Sequence, residues 1–184
     1  IMLDANRTLF ELIHRLSGRS GFLDTAAVFF ATYFPYLLGL AVLFLIFRFH
    51  KEWRLRFAFF AEIALAAILS RGILTEAIRF FWPVPRPFLA LDFTPLIEAS
   101  SAAFPSGHAA IFFALAMVIF YWNRKWGMWF FAFALVNGAA RVFAGVHWPL
   151  DIFGGLLVGV LGAVIAHALL RSYVSALPDR KLHE

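Results

Sequence analysis

An all-α integral membrane helical bundle is the fold class this sequence predicts, and three observations predict it. Of the 184 residues, 62% are hydrophobic and the mean hydropathy is +0.81, far more apolar than a soluble domain of this length. Several runs close to twenty residues are nearly free of charge, which is the length that crosses a hydrocarbon core. Basic residues gather at the ends of those runs, where they meet head groups and set topology. That placement also accounts for the net charge of +5. No basic stripe alternates with stacking aromatics, so nucleic acid is not an expected partner. Cysteine is absent, which excludes disulfides, thiol catalysis and Cys-based metal sites. One domain over residues 1–184 is expected. No cleavable leader is expected, because the first 21 residues are polar and amphipathic.

The elements follow in order. Residues 3–17 set Leu3, Leu9, Phe10, Leu12, Ile13 and Leu16 among Asp4, Arg7, Glu11 and Arg15, the pattern of a helix lying in the membrane interface. It is expected to anchor the chain, with gating of a nearby site as the alternative. The membrane core spans residues 22–170 as about five transmembrane helices. The first runs from Phe22 to Phe47, with Pro35 expected to kink it. A basic connector follows, with Arg48, Lys51, Arg54 and Arg56. The second runs from Phe57 to Phe81, and a polar, Pro-rich connector reaches Phe104. The third runs from Ser106 to Trp122, and Asn123-Arg124-Lys125 forms a tight turn. The fourth runs from Gly127 to Gly145, and the fifth from Pro149 to Leu170. A polar tail occupies 171–184.

Five spans put the termini on opposite sides. One side collects Arg48, Lys51, Arg54, Arg56, Arg124, Lys125, Arg171, Arg180 and Lys181, and the excess marks it as cytoplasmic. The other side collects Arg7, Arg15, Arg19, Arg79, Arg86 and Arg141. Four polar clusters then fall on this second face, away from the cytoplasm. They are Arg79 with Arg86-Pro87, Pro105-Ser106-Gly107-His108, Arg141, and His147 with Asp151.

These residue types suit phosphoryl chemistry. Arginine keeps its charge and can grip two phosphate oxygens at once. Pro105 to His108 opens a helix, whose free N–H groups and dipole attract an anion. Gly107 permits close approach of a phosphate, Ser106 adds a hydroxyl, and His108 can protonate a leaving oxygen. His147 and Asp151, four apart, can touch on one helical face. The carboxylate then holds one ring nitrogen and leaves the other as a nucleophile. Each cluster alone also fits a structural role: snorkelling arginines, an ordinary helix cap, a His–Asp bond at a helix entrance. A metal site of His108, His147 and Asp151 is a further alternative, disfavoured by arginines that would repel a cation. Glu76, one turn before Arg79, is placed to orient it, and Asn137, one turn before Arg141, to support that residue. Arg71, deeper in the second span, is expected in a structural ion pair. His167 is expected at the interface, and His14, His50 and His183 carry no motif.

In order, the clusters resemble the signature of the type 2 phosphatidic acid phosphatase family. Arg79 to Arg86-Pro87 matches its first motif in spacing, with arginine for the usual lysine. Residues 105–108 match the second in full. Arg141, His147 and Asp151 match the third in spacing, with Ala140 for the usual serine. The resemblance implies a metal-independent lipid phosphatase with no cofactor. It implies that His147 attacks phosphorus, Asp151 orients it and His108 protonates the leaving group. Arg79, Arg86, Ser106, Gly107 and Arg141 would hold the phosphate oxygens. The implied substrate is a phospholipid or a polyprenyl phosphate. The chain is most similar to bacterial undecaprenyl-diphosphate phosphatases, multi-pass proteins of the inner membrane whose site faces the periplasm or exterior. Phosphatidylglycerophosphate and lipid A 1-phosphate are alternative substrates. A lipid phosphotransferase and a non-enzymatic lipid transporter are alternative functions.

Overall fold

The computed structural model describes residues 2–49 and 51–175. Ile1, His50 and the tail from residue 176, with Arg180, Lys181 and His183, lie outside the described residues. Helix α1 is Met2–His14. Helix α2 is Gly21–Phe49, with a π turn at Phe29–Tyr33, and α3 is Trp53–Phe81, with a π turn at Ile68–Thr75. A single turn, α4, covers Pro87–Ala90. Helices α5, α6 and α7 are Gly107–Trp122, Arg124–Phe143 and Pro149–Ser175.

Helices α2, α3, α6 and α7 are long and apolar enough to cross a membrane. Helix α5, expected as a fifth span, has only 16 residues. At 1.5 Å per residue it is about 24 Å long, short of a hydrocarbon core. The reason is its position. It runs through the centre of the bundle against α7, α6 and α3. Ala110, Phe113, Ala114, Ala116, Val118 and Ile119 expose nothing. A helix enclosed by protein along its length need not match the bilayer. Small residues bring its neighbours close. A side chain at Gly159 would reach 2.9 Å from the backbone of Ala114, and one at Gly162 of α7 would reach 2.9 Å from Ser70 of α3. The outer faces carry Phe22, Leu40, Phe44, Phe47, Phe57 and Leu161. With four apolar helices, this belt makes the chain a multi-pass membrane protein.

Local signals set the ends. Asn123 accepts from the N–H of Trp126 at 3.1 Å, so α6 starts at Arg124 rather than at Gly127. Helix α6 closes with Gly145 at φ +83°, a value that favours glycine. The N–H of Gly145 donates to Val142 O and that of Val146 to Arg141 O, a Schellman ending that turns the chain toward His147. Pro35 sits within α2. Having no N–H, it cannot bond the carbonyl of Ala31, four residues back.

Amphipathic α1 packs on α6 and α7. Phe10 is buried against His14 and Trp148, with ring centroids 5.1 and 5.0 Å away. Asn6 Oδ1 accepts the N–H of Leu150 at 3.0 Å, and His14 Nδ1 lies 2.8 Å from Phe143 O. Leu9, Leu12 and Leu16 stay exposed, as an interfacial helix requires. His14, without a motif in the sequence, thus helps to hold α1 against α6. Near the far ends of α3, α5 and α7, the fully buried Glu62 accepts from Trp122 Nε1 at 2.7 Å and lies 2.6 Å from His167 Nδ1. His167 therefore turns inward and stacks on Tyr121, instead of pointing to the interface.

Candidate active site

Six of the candidate residues converge. Arg79 from α3, Arg86 from the connector, Gly107 and His108 from α5, Arg141 from α6 and His147 line one cavity of about 190 Å³. Asp151 stands behind His147. Arg71, Glu98, Ala99, Ser100 and Ser101 complete the wall.

Two arginines are fixed by many bonds. Arg86 donates through Nε to Ser101 O at 2.6 Å, through Nη1 to Val146 O at 2.8 Å and through Nη2 to Ser101 Oγ at 3.1 Å. Arg79 donates to Pro105 O at 3.0 Å through Nη2, and to Ser101 Oγ and Glu76 Oε1 at 3.3 Å each through Nη1. One hydroxyl, Ser101, therefore spaces both guanidinium groups. Burial lowers the Arg86 pKa to about 10, with neighbouring Arg79 adding to the effect and Asp151 opposing it, so the group stays charged at neutral pH.

Arg141 is held from another direction. Its Nη1 donates to Ala31 O at 3.1 Å, the carbonyl whose i+4 partner is Pro35, a residue with no N–H to give. Asn137 donates to the adjacent Phe30 O at 2.7 Å. Asn137 thus binds the same π turn as Arg141. Arg141 Nε is buried without a partner, a costly arrangement and a spare donor.

His147 is 1% exposed and Asp151 2%. The Nδ1 of His147 lies 3.1 Å from Asp151 Oδ2, which also accepts the N–H of Trp148 at 2.8 Å. An acceptor at Nδ1 fixes the tautomer and leaves the Nε2 lone pair as an acceptor, met by a long bond from Arg86 Nη1. Nε2 lies 3.4 Å from Arg86 Nη1. Burial holds the His147 imidazole well below its ordinary value, and Arg141 and Arg86 push it the same way. The ring is neutral at pH 7. Asp151 also accepts the Ser106 N–H on its backbone oxygen at 2.9 Å, tying the start of α5 to α7.

Ser106 does not reach the cavity. It is fully buried and caps α5, its Oγ accepting from the Ala109 N–H at 3.5 Å. What α5 offers the cavity is the first-turn backbone N–H groups of Gly107 and His108, which have no acceptor within the helix. Glu76 pairs with both Arg79 and Arg71, so the structural ion pair expected of Arg71 exists. The sequence reading missed that Arg71 also lines the cavity, and it missed Ser101 entirely. A costly charge within a span was the available signal for Arg71. Ser101 had none beyond a polar connector. Beside the His147–Asp151 pair lies an apolar groove of about 560 Å³, lined by Asn6, Arg7, Trp82, Val84, Pro85, Phe104, Trp148, Leu150 and Asp151.

Residues 60–173 match the family model described as the PAP2 superfamily. The undecaprenyl-diphosphatase BcrC of Bacillus subtilis is 32% identical over 85% of this chain and 79% of its own length. The putative undecaprenyl-diphosphatase YbjG of Escherichia coli is 34% identical over 59% of this chain, and the match spans about half, 55%, of that protein. The crystal structure of Aquifex aeolicus LpxE superposes with a TM-score of 0.72 at 29% identity, over 89% of this chain and 95% of that one.

Proposed function

The chain belongs to the PAP2 superfamily and is a membrane lipid phosphatase, and from that premise we propose that it works through a phosphohistidine on His147. The observation that carries this reading is the His147 ring, with Nδ1 held by Asp151 and Nε2 facing a cavity lined by arginines. In the first step the Nε2 lone pair forms a P–N bond while the P–O bond to the leaving group breaks. His108 gives its proton to that leaving oxygen. The imidazole gains positive charge, which the Asp151 carboxylate stabilises. In the second step His108 takes a proton from water, the water oxygen attacks phosphorus, and the P–N electron pair returns to Nε2.

Arg79, Arg86 and Arg141 bind the phosphate oxygens, and the spare Nε of Arg141 fits one of them. The N–H groups of Gly107 and His108 supply further donors, with Ser106 shaping that turn rather than binding directly. Ala140, where the family motif has serine, removes one hydroxyl. Ser101 acts instead on the arginines.

The preferred substrate is undecaprenyl diphosphate, a reading supported by the names of the relatives. The apolar groove beside Asp151 suits the first units of a lipid chain. Phosphatidylglycerophosphate and lipid A 1-phosphate are the other candidates. The site opens to the periplasm or exterior of a bacterial inner membrane, by the distribution of Lys and Arg. The test is phosphate release in detergent with EDTA from a panel of these lipids. Release that persists in EDTA and vanishes in His147→Ala, with an acid-labile phosphoryl-enzyme in the wild type, is the expected result. Release that survives in folded His147→Ala would refute the mechanism. A newly phosphorylated lipid without free phosphate would make the protein a transferase, and lipid binding without turnover would favour transport.

A further inference from the structure

We propose that Arg71 binds the phosphoryl group on the leaving side of the scissile bond and so selects lipid diphosphates over lipid monophosphates. The inference rests on the phosphatase reading above and adds a residue to it.

Position comes first. Arg71 lines the same cavity as Gly107, His108 and His147. Its guanidinium packs on Gly107: a methyl group there would overlap Arg71 Nε and come within 2.7 Å of its Cδ. Arg71 is therefore beside the residue that precedes His108, the proposed acid. Arg86, by contrast, lies 3.4 Å from Nε2 of His147, the proposed nucleophile. The arginines are thus spread from the attacking side to the leaving side.

The backbone explains how Arg71 gets there. Eight residues of regular helix would leave Arg71 and Arg79 about 80° apart around α3. The π turn at Ile68–Thr75 absorbs one residue, which brings the two to within about 20° of each other. Arg71 is also less committed than its neighbours. Arg79 and Arg86 are tied to carbonyls and to Ser101. The partner of Arg71 among the described residues is Glu76, which is half exposed and already holds Arg79 as well. Arg71 can turn to a ligand without stranding the carboxylate.

The chemistry decides which ligand needs it. When a monophosphate is cleaved, the leaving group is an alkoxide, and one proton from His108 neutralises it. When a diphosphate is cleaved, the leaving group is a lipid phosphate that stays anionic after it takes that proton. A cation beside the acid lowers the barrier only for the second reaction.

The test compares kcat/KM for a prenyl diphosphate and the prenyl monophosphate of the same chain length, in detergent with EDTA. For Arg71→Gln the diphosphate value should fall about 30-fold, the scale of one charge-assisted hydrogen bond, and the monophosphate value by less than about 3-fold. Arg71→Lys should recover part of the loss. Inhibition by methylenediphosphonate should weaken in Arg71→Gln while inhibition by orthophosphate holds. Equal losses on both substrates, or no loss on either, would overturn the inference, as would a wild type that prefers the monophosphate. If Arg71→Gln does not fold, Arg71→Lys carries the same ratio. A wild type inactive on every lipid would instead overturn the phosphatase reading, so the two failures are distinguishable.

Discussion

Replacing Asp151 with asparagine separates a working His–Asp pair from a merely structural one. Both donors, Trp148 N–H at 2.8 Å and His147 Nδ1 at 3.1 Å, converge on the same carboxylate oxygen. An asparagine oxygen can occupy that point, keep both bonds and preserve the tautomer, so what is lost is the charge. A full positive charge on the ring, 3.1 Å from the carboxylate, is worth about 5 kcal/mol at an effective dielectric of about 20. Both groups are buried, so water does little to screen the pair. With about half of the charge developed in the transition state, the loss is about 2.5 kcal/mol, or roughly 10²-fold in kcat. If the amide turns its nitrogen toward Nδ1 instead, the proton moves to Nε2 and the loss approaches the roughly 10⁴-fold of a wrong tautomer. Asp151→Ala, which removes the orienting oxygen, should fall at least as far as Asp151→Asn. The assay is steady-state phosphate release with EDTA, alongside trapping of acid-labile phosphoryl-enzyme and a thermal unfolding curve. Asp151→Asn that folds normally and stays within about fivefold of wild type would refute the reasoning.

Four further predictions follow from the same geometry. The depressed pKa of His147 puts the acid limb due to that residue in kcat/KM well below pH 6.5, and Arg86→Met should move the limb upward by removing a neighbouring positive charge. By linkage, the unfolded chain takes up the His147 proton as pH falls below about 6.5 while the folded chain does not, so stability falls there. Thermal midpoints measured from pH 7 down to 5 should drop, and the drop should be shallower in His147→Gln. Pro35→Ala supplies an N–H that competes for Ala31 O, so inhibition by orthophosphate should weaken several-fold while thermal stability holds or rises; unchanged inhibition would refute the anchoring of Arg141 through that carbonyl. His167→Ala leaves the buried Glu62 short of a partner and should cost about 3 kcal/mol in unfolding. Glu62 and Arg79 are 17 residues apart on α3, roughly 25 Å, so turnover in that variant should stay within about twofold of wild type.

The site was legible in the sequence wherever a function rests on residue type and helical spacing. The His147–Asp151 pair is an i, i+4 contact, and the start of α5 is a cap with its own signature, so both could be read directly. Span ends near Phe81 and Trp122 were legible for the same reason, since charge and capping residues mark them. The sequence does not mark α5 as the enclosed helix, because apolar composition does not distinguish a lipid-facing helix from one enclosed by protein. Ser106 was assigned to phosphate because a hydroxyl can serve a ligand or a cap, and only the fold shows that the cap takes it.

The two π turns account for the rest. A π turn shifts every later residue around the helix axis, and no composition rule marks where it falls. Counting at 3.6 residues per turn therefore separates Arg71 from Arg79 and leaves Arg71 to an ion pair, while the actual backbone aligns them on the cavity. The first π turn, with Pro35 just beyond it, leaves Ala31 O to Arg141 and Phe30 O to Asn137. Pro35, read as a kink, acts as the residue that frees an acceptor for Arg141. Irregular helical backbone in a membrane is tolerated where protein groups meet the polar atoms it exposes. Here two of those groups come from the helix that carries Arg141, so the distortion and the anchoring of the arginine are one arrangement. It follows that straightening either π turn should disturb the arginine cluster before it disturbs the fold.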